Sequence, residues 1–163
     1  MPPPGAPPPP QGPPPDPEPA RQLVASLGQP AVPFVSVDAP PRVTLLALDA
    51  TARGEAAGKM PGTLATAVLG EGQRASMALS LAPGECTTVI AHGGLGVVEL
   101  DQFVTTGSGD GFRIVSEDGA TGPVAVVGGR SGCVAPAPGQ SLTGELVARV
   151  RRGAGIVLVR AYR

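Results

Sequence analysis

Residues 75–91 have the sequence ASMALSLAPGECTTVIA. In the first half, Met77, Leu79 and Leu81 alternate with small or polar residues, the two-residue period of a strand with one face in a core. A Pro-Gly pair then interrupts the pattern, as turns do, and a second apolar run begins at Cys86. The segment therefore predicts two consecutive strands joined by a tight turn.

The same pattern extends over most of the chain, where short runs of Val, Leu, Ile and Thr alternate with glycine-containing turns. Candidate strands are Val43–Leu48, Leu64–Leu69, Ala75–Leu81, Cys86–Ala91, Val97–Val104, Phe112–Ser116, Pro123–Val127, Leu142–Val150 and Ile156–Tyr162. Their regular spacing predicts an all-β domain over residues 42–163, an antiparallel β-sandwich or jelly-roll-like fold. Residues 50–59, ATARGEAAGK, fit either a short helix or a long loop.

Proline marks a boundary before this domain. Twelve of the first 20 residues are proline, and 16 of the 21 prolines lie within residues 1–41. Because proline fixes φ and lacks an amide donor, the segment predicts a disordered, proline-rich spacer over residues 1–41. A PxxP ligand for an SH3-type domain is the alternative reading. Residues 21–27, RQLVASL, would allow one or two helical turns.

Composition excludes several classes of protein. Only 15% of the 163 residues are charged and the net charge is −1, so there is no general electrostatic attraction to nucleic acid or anionic lipid. Apolar runs are too short for a transmembrane helix. No basic and apolar stretch follows Met1, so no signal sequence is visible in this chain.

Cys86 and Cys133 are the two cysteines. An even count in a small, glycine-rich domain favours a disulfide between them, which would place the protein outside the reducing cytosol. Two buried free thiols, or one nucleophilic cysteine, are the competing interpretations.

Three segments resemble a group of uncharacterised secreted and lipoprotein-like proteins of myxobacteria. They are LAPGECTTVIAHGGLGVVELDQFV (81–104), SEDGATGPVAVVGGRSGC (116–133) and RGAGIVLVRAYR (152–163). The matching positions are Cys86, Thr88, Val89, Ile90, Ala91, Glu99, Leu100, Asp101, Asp118, Gly122, Pro123, Ala125, Val126, Gly128, Cys133, Gly153, Gly155 and Tyr162. The resemblance implies a location at the cell envelope or outside the cell, and it brings no known activity with it. The chain departs from the group at Thr87, where the group has an aromatic residue, and in lacking a lipobox.

More loosely, the first of these segments is similar to the paired strands of pre-peptidase C-terminal β-sandwich domains, which are accessory modules of secreted enzymes. That similarity implies a binding role beside a catalytic domain.

Residues for catalysis do not form a known motif. His92 is the single histidine and lies in an Ala-His-Gly-Gly turn, and no serine lies in a Gly-x-Ser-x-Gly elbow. A catalytic dyad of Cys86 with His92 would require Cys86 to be a free thiol, so the disulfide could not form. Two cysteines and one histidine at this spacing do not make a zinc site, and the glycine-rich turns are followed by strands rather than helices. We therefore expect neither an enzyme nor a cofactor.

Acidic residues cluster at turns. Asp110, Glu117 and Asp118 are candidate calcium ligands, because Ca²⁺ takes loop carboxylates and carbonyls; ordinary solvated turns are the alternative. Glu99 and Asp101 lie two apart in a predicted strand and therefore share a face. They would form either a carboxylate patch or pairs with arginines.

The last 15 residues contain five arginines and no acid. Arg149, Arg151, Arg152 and Arg160 are candidate ligands for an anionic polysaccharide or headgroup. A charged edge hairpin that blocks aggregation is the alternative.

Together these features predict a non-enzymatic, extracytoplasmic display or binding module of unknown ligand, tethered by the proline-rich spacer. Envelope polysaccharide or another envelope protein would be its partner. The alternative is an accessory carbohydrate- or calcium-binding module of a secreted hydrolase system.

Overall fold

The computed structural model describes residues 17–130 and 132–163. In chain order its elements are α1 (Pro17–Ser26), β1 (Val32–Pro33), β2 (Val35–Ser36), α2 (Arg42–Glu55), β3 (Pro61–Leu69), β4 (Arg74–Leu81), β5 (Thr88–Gly93), β6 (Val97–Thr106), a 3₁₀ turn (Gly109–Gly111), β7 (Arg113–Glu117), β8 (Val124–Val127), β9 (Leu142–Gly153) and β10 (Gly155–Tyr162). Neither helix is long and apolar enough to cross a lipid bilayer.

The strands form two five-stranded sheets. Sheet A has the order β1-β4-β9-β6-β7 and sheet B the order β2-β3-β10-β5-β8. All neighbouring strands are antiparallel except β1 and β4, which are parallel. The predicted all-β sandwich is confirmed.

The alternation in β4 places Leu79 and Leu81 in the main core between the sheets, together with residues such as Leu100, Leu146 and Val159. The predicted turn after β4 carries the chain from sheet A to sheet B. Its Gly84 has a positive φ of 82°, which glycine adopts without steric cost.

The predicted strand Val43–Leu48 is wrong: these residues form the first half of α2. Short apolar runs do not distinguish a buried strand from one face of a helix. Here Pro41 precedes the helix, and the Leu- and Ala-rich sequence favours it. Leu48 is fully buried in a second apolar cluster with Ile90 and Leu158 on the outer face of sheet B.

The N-terminal region also differs from the expected spacer. The proline-dense residues 1–16 lie outside the described residues, but α1 packs on the outer face of sheet A, where Leu23 is fully buried with Phe103 and Val147. Proline is tolerated in the first turn of a helix, so Pro17 does not prevent this one. Residues 17–41 therefore belong to the folded unit, and the disordered region predicted for them is absent.

Residues 32–37 connect the two sheets along one side of the sandwich. Val32 and Pro33 pair with Ala75 and Ser76 of β4, and the chain then crosses so that Val35 and Ser36 pair with β3. Each pairing is only two residues long. The remainder of β4, from Met77 onward, and the start of β3 extend beyond this segment.

Candidate functional site

The two cysteines form a disulfide at one corner of the sandwich. Cys86 and Cys133 are bonded, with their Cα atoms 5.3 Å apart, and no free cysteine remains among the described residues. Next to them, Thr87 and Val134 exchange two backbone hydrogen bonds of 2.9 Å. Cys86 is exposed and Cys133 is partly exposed. The disulfide prediction is confirmed, and the free-thiol and nucleophile interpretations are wrong.

Neighbouring side chains anchor this corner to the rest of the fold. The Lys59 ammonium donates to the Thr88 hydroxyl at 2.8 Å and lies 3.5 Å from Cys86 Sγ. The Thr88 hydroxyl donates in turn to the Gly128 carbonyl. Glu55, at the end of α2, accepts the Arg130 backbone N–H at 2.9 Å. The segment that carries Cys133 is therefore held by α2 as well as by the disulfide.

The structure does not bring the four predicted arginines to one face. Arg149 is nearly buried beneath α1, where it donates to Gln22 Oε1 at 2.6 Å and lies opposite Asp101 in the β6–β9 register. Burial lowers the pKa of Arg149, and the nearby Asp101 opposes that shift. Arg151 and Arg152 each lie 3.2 Å from a carboxylate oxygen of Glu99.

Arg160 lies in sheet B, on the face covered by α2, and its guanidinium is 3.4 Å from Asp49 Oδ1. The structure thus pairs Arg151, Arg152 and Arg160 with carboxylates and places Arg149 against Gln22 and Asp101. The earlier hypothesis that Glu99 and Asp101 partner arginines agrees with these contacts.

The candidate calcium ligands are also separated. Asp110 lies in the 3₁₀ turn before β7, whereas Glu117 and Asp118 lie at the other end of that strand. Within residues 17–130 and 132–163, no group of three His, Cys, Asp or Glu side chains is arranged to hold a metal ion.

Asp118 nevertheless has an unusual environment. Its Oδ1 accepts the Gln102 backbone N–H at 2.6 Å, and its own N–H donates to the Gln102 carbonyl at 3.0 Å. Burial raises the pKa of the Asp118 carboxyl to about 7; the Gln102 hydrogen bond opposes this, and the charge of Asp101 adds to it.

A cleft of about 400 Å³ opens between the two sheets on the side where residues 32–37 end. Two strand edges form its walls, residues 60–63 leading into β3 and residues 77–80 of β4. Its floor consists of the core side chains Leu79, Leu146 and Val159, and Ala161 also lines it. The Met60 side chain is 75% exposed beside it, and Arg163 lies at the rim.

The β4 wall exposes unpaired backbone. Phe34 N–H donates to the Ser76 carbonyl at 3.1 Å, so the backbone groups of Ser76 face β1. In a strand, the backbone N–H and C=O groups of every second residue point to the same neighbouring strand. Those of Ala78 and Ser80 therefore point to the side of β1, at a level where β1 has already ended. Arg163 donates to the Ser80 carbonyl at 3.3 Å, which covers one of these groups.

A second, shallower depression of about 300 Å³ lies between α2 and the β5–β6 turn, with His92 among its lining residues. His92 Nδ1 is 2.8 Å from the Gly93 carbonyl oxygen. Leu95, in the turn, is 95% exposed.

No family model, curated protein or solved structure matches this chain. The interpretation of the site therefore rests on its own geometry, and the resemblance to secreted myxobacterial proteins stays a prediction.

Sequence reasoning missed the cleft because its two walls are edges of β3 and β4, which lie in different sheets. The alternation in β4 identifies which residues face the core. It does not show which edge of the strand lacks a hydrogen-bonded neighbour. Pro61 and Gly62 were the available signal, since proline and glycine are typical of strand edges and irregular positions.

Proposed function

We propose that this protein is a non-enzymatic binding module that works in an oxidising, extracytoplasmic compartment. The exposed Cys86–Cys133 disulfide carries the proposal. Thiol buffers keep cytosolic cysteines reduced, and a disulfide that solvent reaches has no steric protection from them. The resemblance to secreted and lipoprotein-like proteins supports the same compartment.

The arrangement of polar groups supports binding rather than catalysis. Arg151, Arg152 and Arg160 contact carboxylates. Arg149 lies beneath α1, where it donates to Gln22. Pairs of this kind fix the geometry of a scaffold and leave few reactive groups directed at a common point. The cleft between the sheets is lined mainly by apolar side chains, which favours a protein partner over an envelope polysaccharide, because sugars are usually bound by polar and aromatic groups.

In this proposal the proline-rich residues 1–16 act as a spacer. A polyproline segment extends by about 3.1 Å per residue, so sixteen residues would hold the module up to about 50 Å from an attachment point. That reach suits a module displayed at an envelope surface.

The test is the mass of the protein purified from its native source, treated with N-ethylmaleimide before and after reduction. We expect no adduct on the unreduced chain and two adducts after denaturation and reduction, one for each cysteine. The matched control is the Cys86→Ser/Cys133→Ser variant, which should take up no reagent in either state. Two adducts on the native, unreduced protein would place it in a reducing compartment and overturn the proposal.

A further inference from the structure

Residues 32–37 already fill one part of the opening between the sheets. Val32 and Phe34, two residues apart, are partly buried against the main core. Phe34 N–H binds the Ser76 carbonyl, and Val37 N–H binds the Leu64 carbonyl at 3.2 Å. An extended segment with apolar residues at alternate positions is therefore the kind of structure that this opening accepts.

The cleft is the part of the opening that these residues leave free, and it has the same construction. One wall is the continuation of β4, its floor is the same apolar core, and Ala78 presents backbone groups in register with those of Ser76. Ala78 itself is exposed. The cleft thus continues the edge of β4 on which β1 already pairs.

We propose that the cleft binds an extended segment of a partner protein, which adds as a strand to β4 and places one apolar side chain between Met77 and Ala161. Strand addition of this kind takes affinity from main-chain hydrogen bonds and specificity from a pocket for alternate side chains. The inference rests on the proposed binding function and names the partner class for the same site.

The two walls differ in a way that identifies β4 as the acceptor. The β3 edge begins with Pro61, which has no N–H, and its register with β10 shifts between Arg160 and Tyr162. Proline and register shifts are devices that block pairing at sheet edges. Residues 77–81 of β4, MALSL, contain neither proline nor charge.

The same geometry argues against a second copy of the chain. If two β4 edges paired with each other, Leu79 of each copy would remain in its own core, and both clefts would stay empty. A partner strand whose side chains are not yet buried is needed to fill about 400 Å³ of apolar space.

Charge at the rim adds a preference. The Arg163 side chain is 52% exposed, and its guanidinium lies 3.7 Å from Glu85 while donating to the Ser80 carbonyl. A carboxylate on the incoming strand would replace that long contact, because guanidinium groups bind carboxylates through two parallel hydrogen bonds. The partner segment is therefore apolar at its centre and acidic at one end.

The experiment uses fluorescein-labelled heptapeptides of sequence acetyl-KVTXTVE-amide, with Ala, Leu, Met or Phe at X, and the full chain with its disulfide intact. A peptide with proline at X is the matched control, since it cannot complete the strand. We expect the best apolar peptide to bind at least about tenfold more tightly than the proline peptide in fluorescence polarisation. Hydrogen exchange of the Ala78 amide should slow when that peptide is added.

Three variants locate the site. Ala78→Pro removes the N–H that faces the open edge and spares the bonds to β9, so binding should weaken by about tenfold or more. Ala161→Leu fills the cleft from within and should weaken binding similarly. Leu95→Ala removes exposed apolar surface at the second depression and should bind as the unaltered chain does. Far-ultraviolet circular dichroism of each variant verifies its fold.

Three results would overturn the inference. The first is no binding by any of the four apolar peptides up to about 1 mM. The second is equal binding of the apolar and proline peptides, or binding that neither Ala78→Pro nor Ala161→Leu weakens. The third is self-association that Ala78→Pro abolishes, which would make a second copy the occupant. The alkylation result is independent of peptide binding, so failure here leaves the proposed compartment standing.

Discussion

At the scale of single residues, Asp118 couples protonation to folding. Its carboxyl has a pKa near 7 in the folded chain against an ordinary value of 3.8, chiefly because burial disfavours the charged form. Between these two pKa values the folded chain binds a proton that the unfolded chain has released. The free energy of unfolding contributed by Asp118 therefore falls as pH rises from about 4 to about 7.

We predict that Asp118→Asn removes this pH dependence, because the amide oxygen still accepts the Gln102 N–H but carries no charge. Above pH 7 the variant should be more stable than the unaltered chain by about 1–3 kcal/mol. Urea unfolding followed across the pH range measures this. Asp110→Asn, in the 3₁₀ turn, is the matched control and should leave the profile of the unaltered chain. Parallel profiles for Asp118→Asn and the unaltered chain would contradict the assignment.

At the scale of elements, α1 is held to sheet A mainly by one apolar side chain and a few polar contacts. Leu23 is fully buried against Phe103 and Val147, and Arg74 of β4 donates to the carbonyl of Ser26, the last residue of α1, and to that of Gln29 in the segment after it. Arg149 adds its bond to Gln22. The helix therefore covers charged groups that would otherwise face solvent.

We predict that Leu23→Ala destabilises the chain by about 2–4 kcal/mol, through lost burial and the cavity that remains. Val24→Ala is the matched control: Val24 is 53% exposed on the same helix, and its truncation should cost less than about 0.5 kcal/mol. Urea unfolding measures both values. Faster hydrogen exchange of the α1 amides in Leu23→Ala alone would show that the helix detaches locally. Equal effects of the two substitutions would mean that Leu23 does not anchor α1.

The sequence predicted elements well where local pattern and burial agree. The alternation of Met77, Leu79 and Leu81 placed β4 and its core face correctly. The prediction from sequence failed at Val43–Leu48, because an apolar run next to alanines fits a helix face as well as a strand. The contact of Leu48 with Ile90 and Leu158 decides between the two. The contact between Arg160 and Asp49 was inaccessible for a similar reason, since Asp49 lies 111 positions from Arg160.

At the scale of the whole molecule, the disulfide closes a long covalent loop. Cys86 and Cys133 are 47 positions apart, and they join the start of β5 to the segment after β8 in the region that α2 also contacts. In the chain-entropy account, a cross-link of this span removes much of the conformational freedom of the unfolded chain.

We predict that the Cys86→Ser/Cys133→Ser variant unfolds with a free energy lower by about 2–4 kcal/mol. Urea unfolding of the oxidised chain, the reduced chain and the variant provides the comparison. Reductant should lower the stability of the unaltered chain to that of the variant and leave the variant unchanged. Equal stability of the oxidised and reduced chains would contradict a stabilising role for the bond.

The crossing of residues 32–37 between the sheets sets the order in which the chain is able to fold. Those residues and α1 precede the long strands in the chain, yet the partners of α1 include Arg149, 127 positions after Gln22. Such distant contacts close slowly, on a timescale of milliseconds to seconds. We therefore expect α1 to dock after β9 has formed, and until residues 32–33 pair with β4, Ala75 and Ser76 lengthen the unprotected edge of that strand. Newly made chains at high concentration should consequently be most vulnerable to aggregation at that stage.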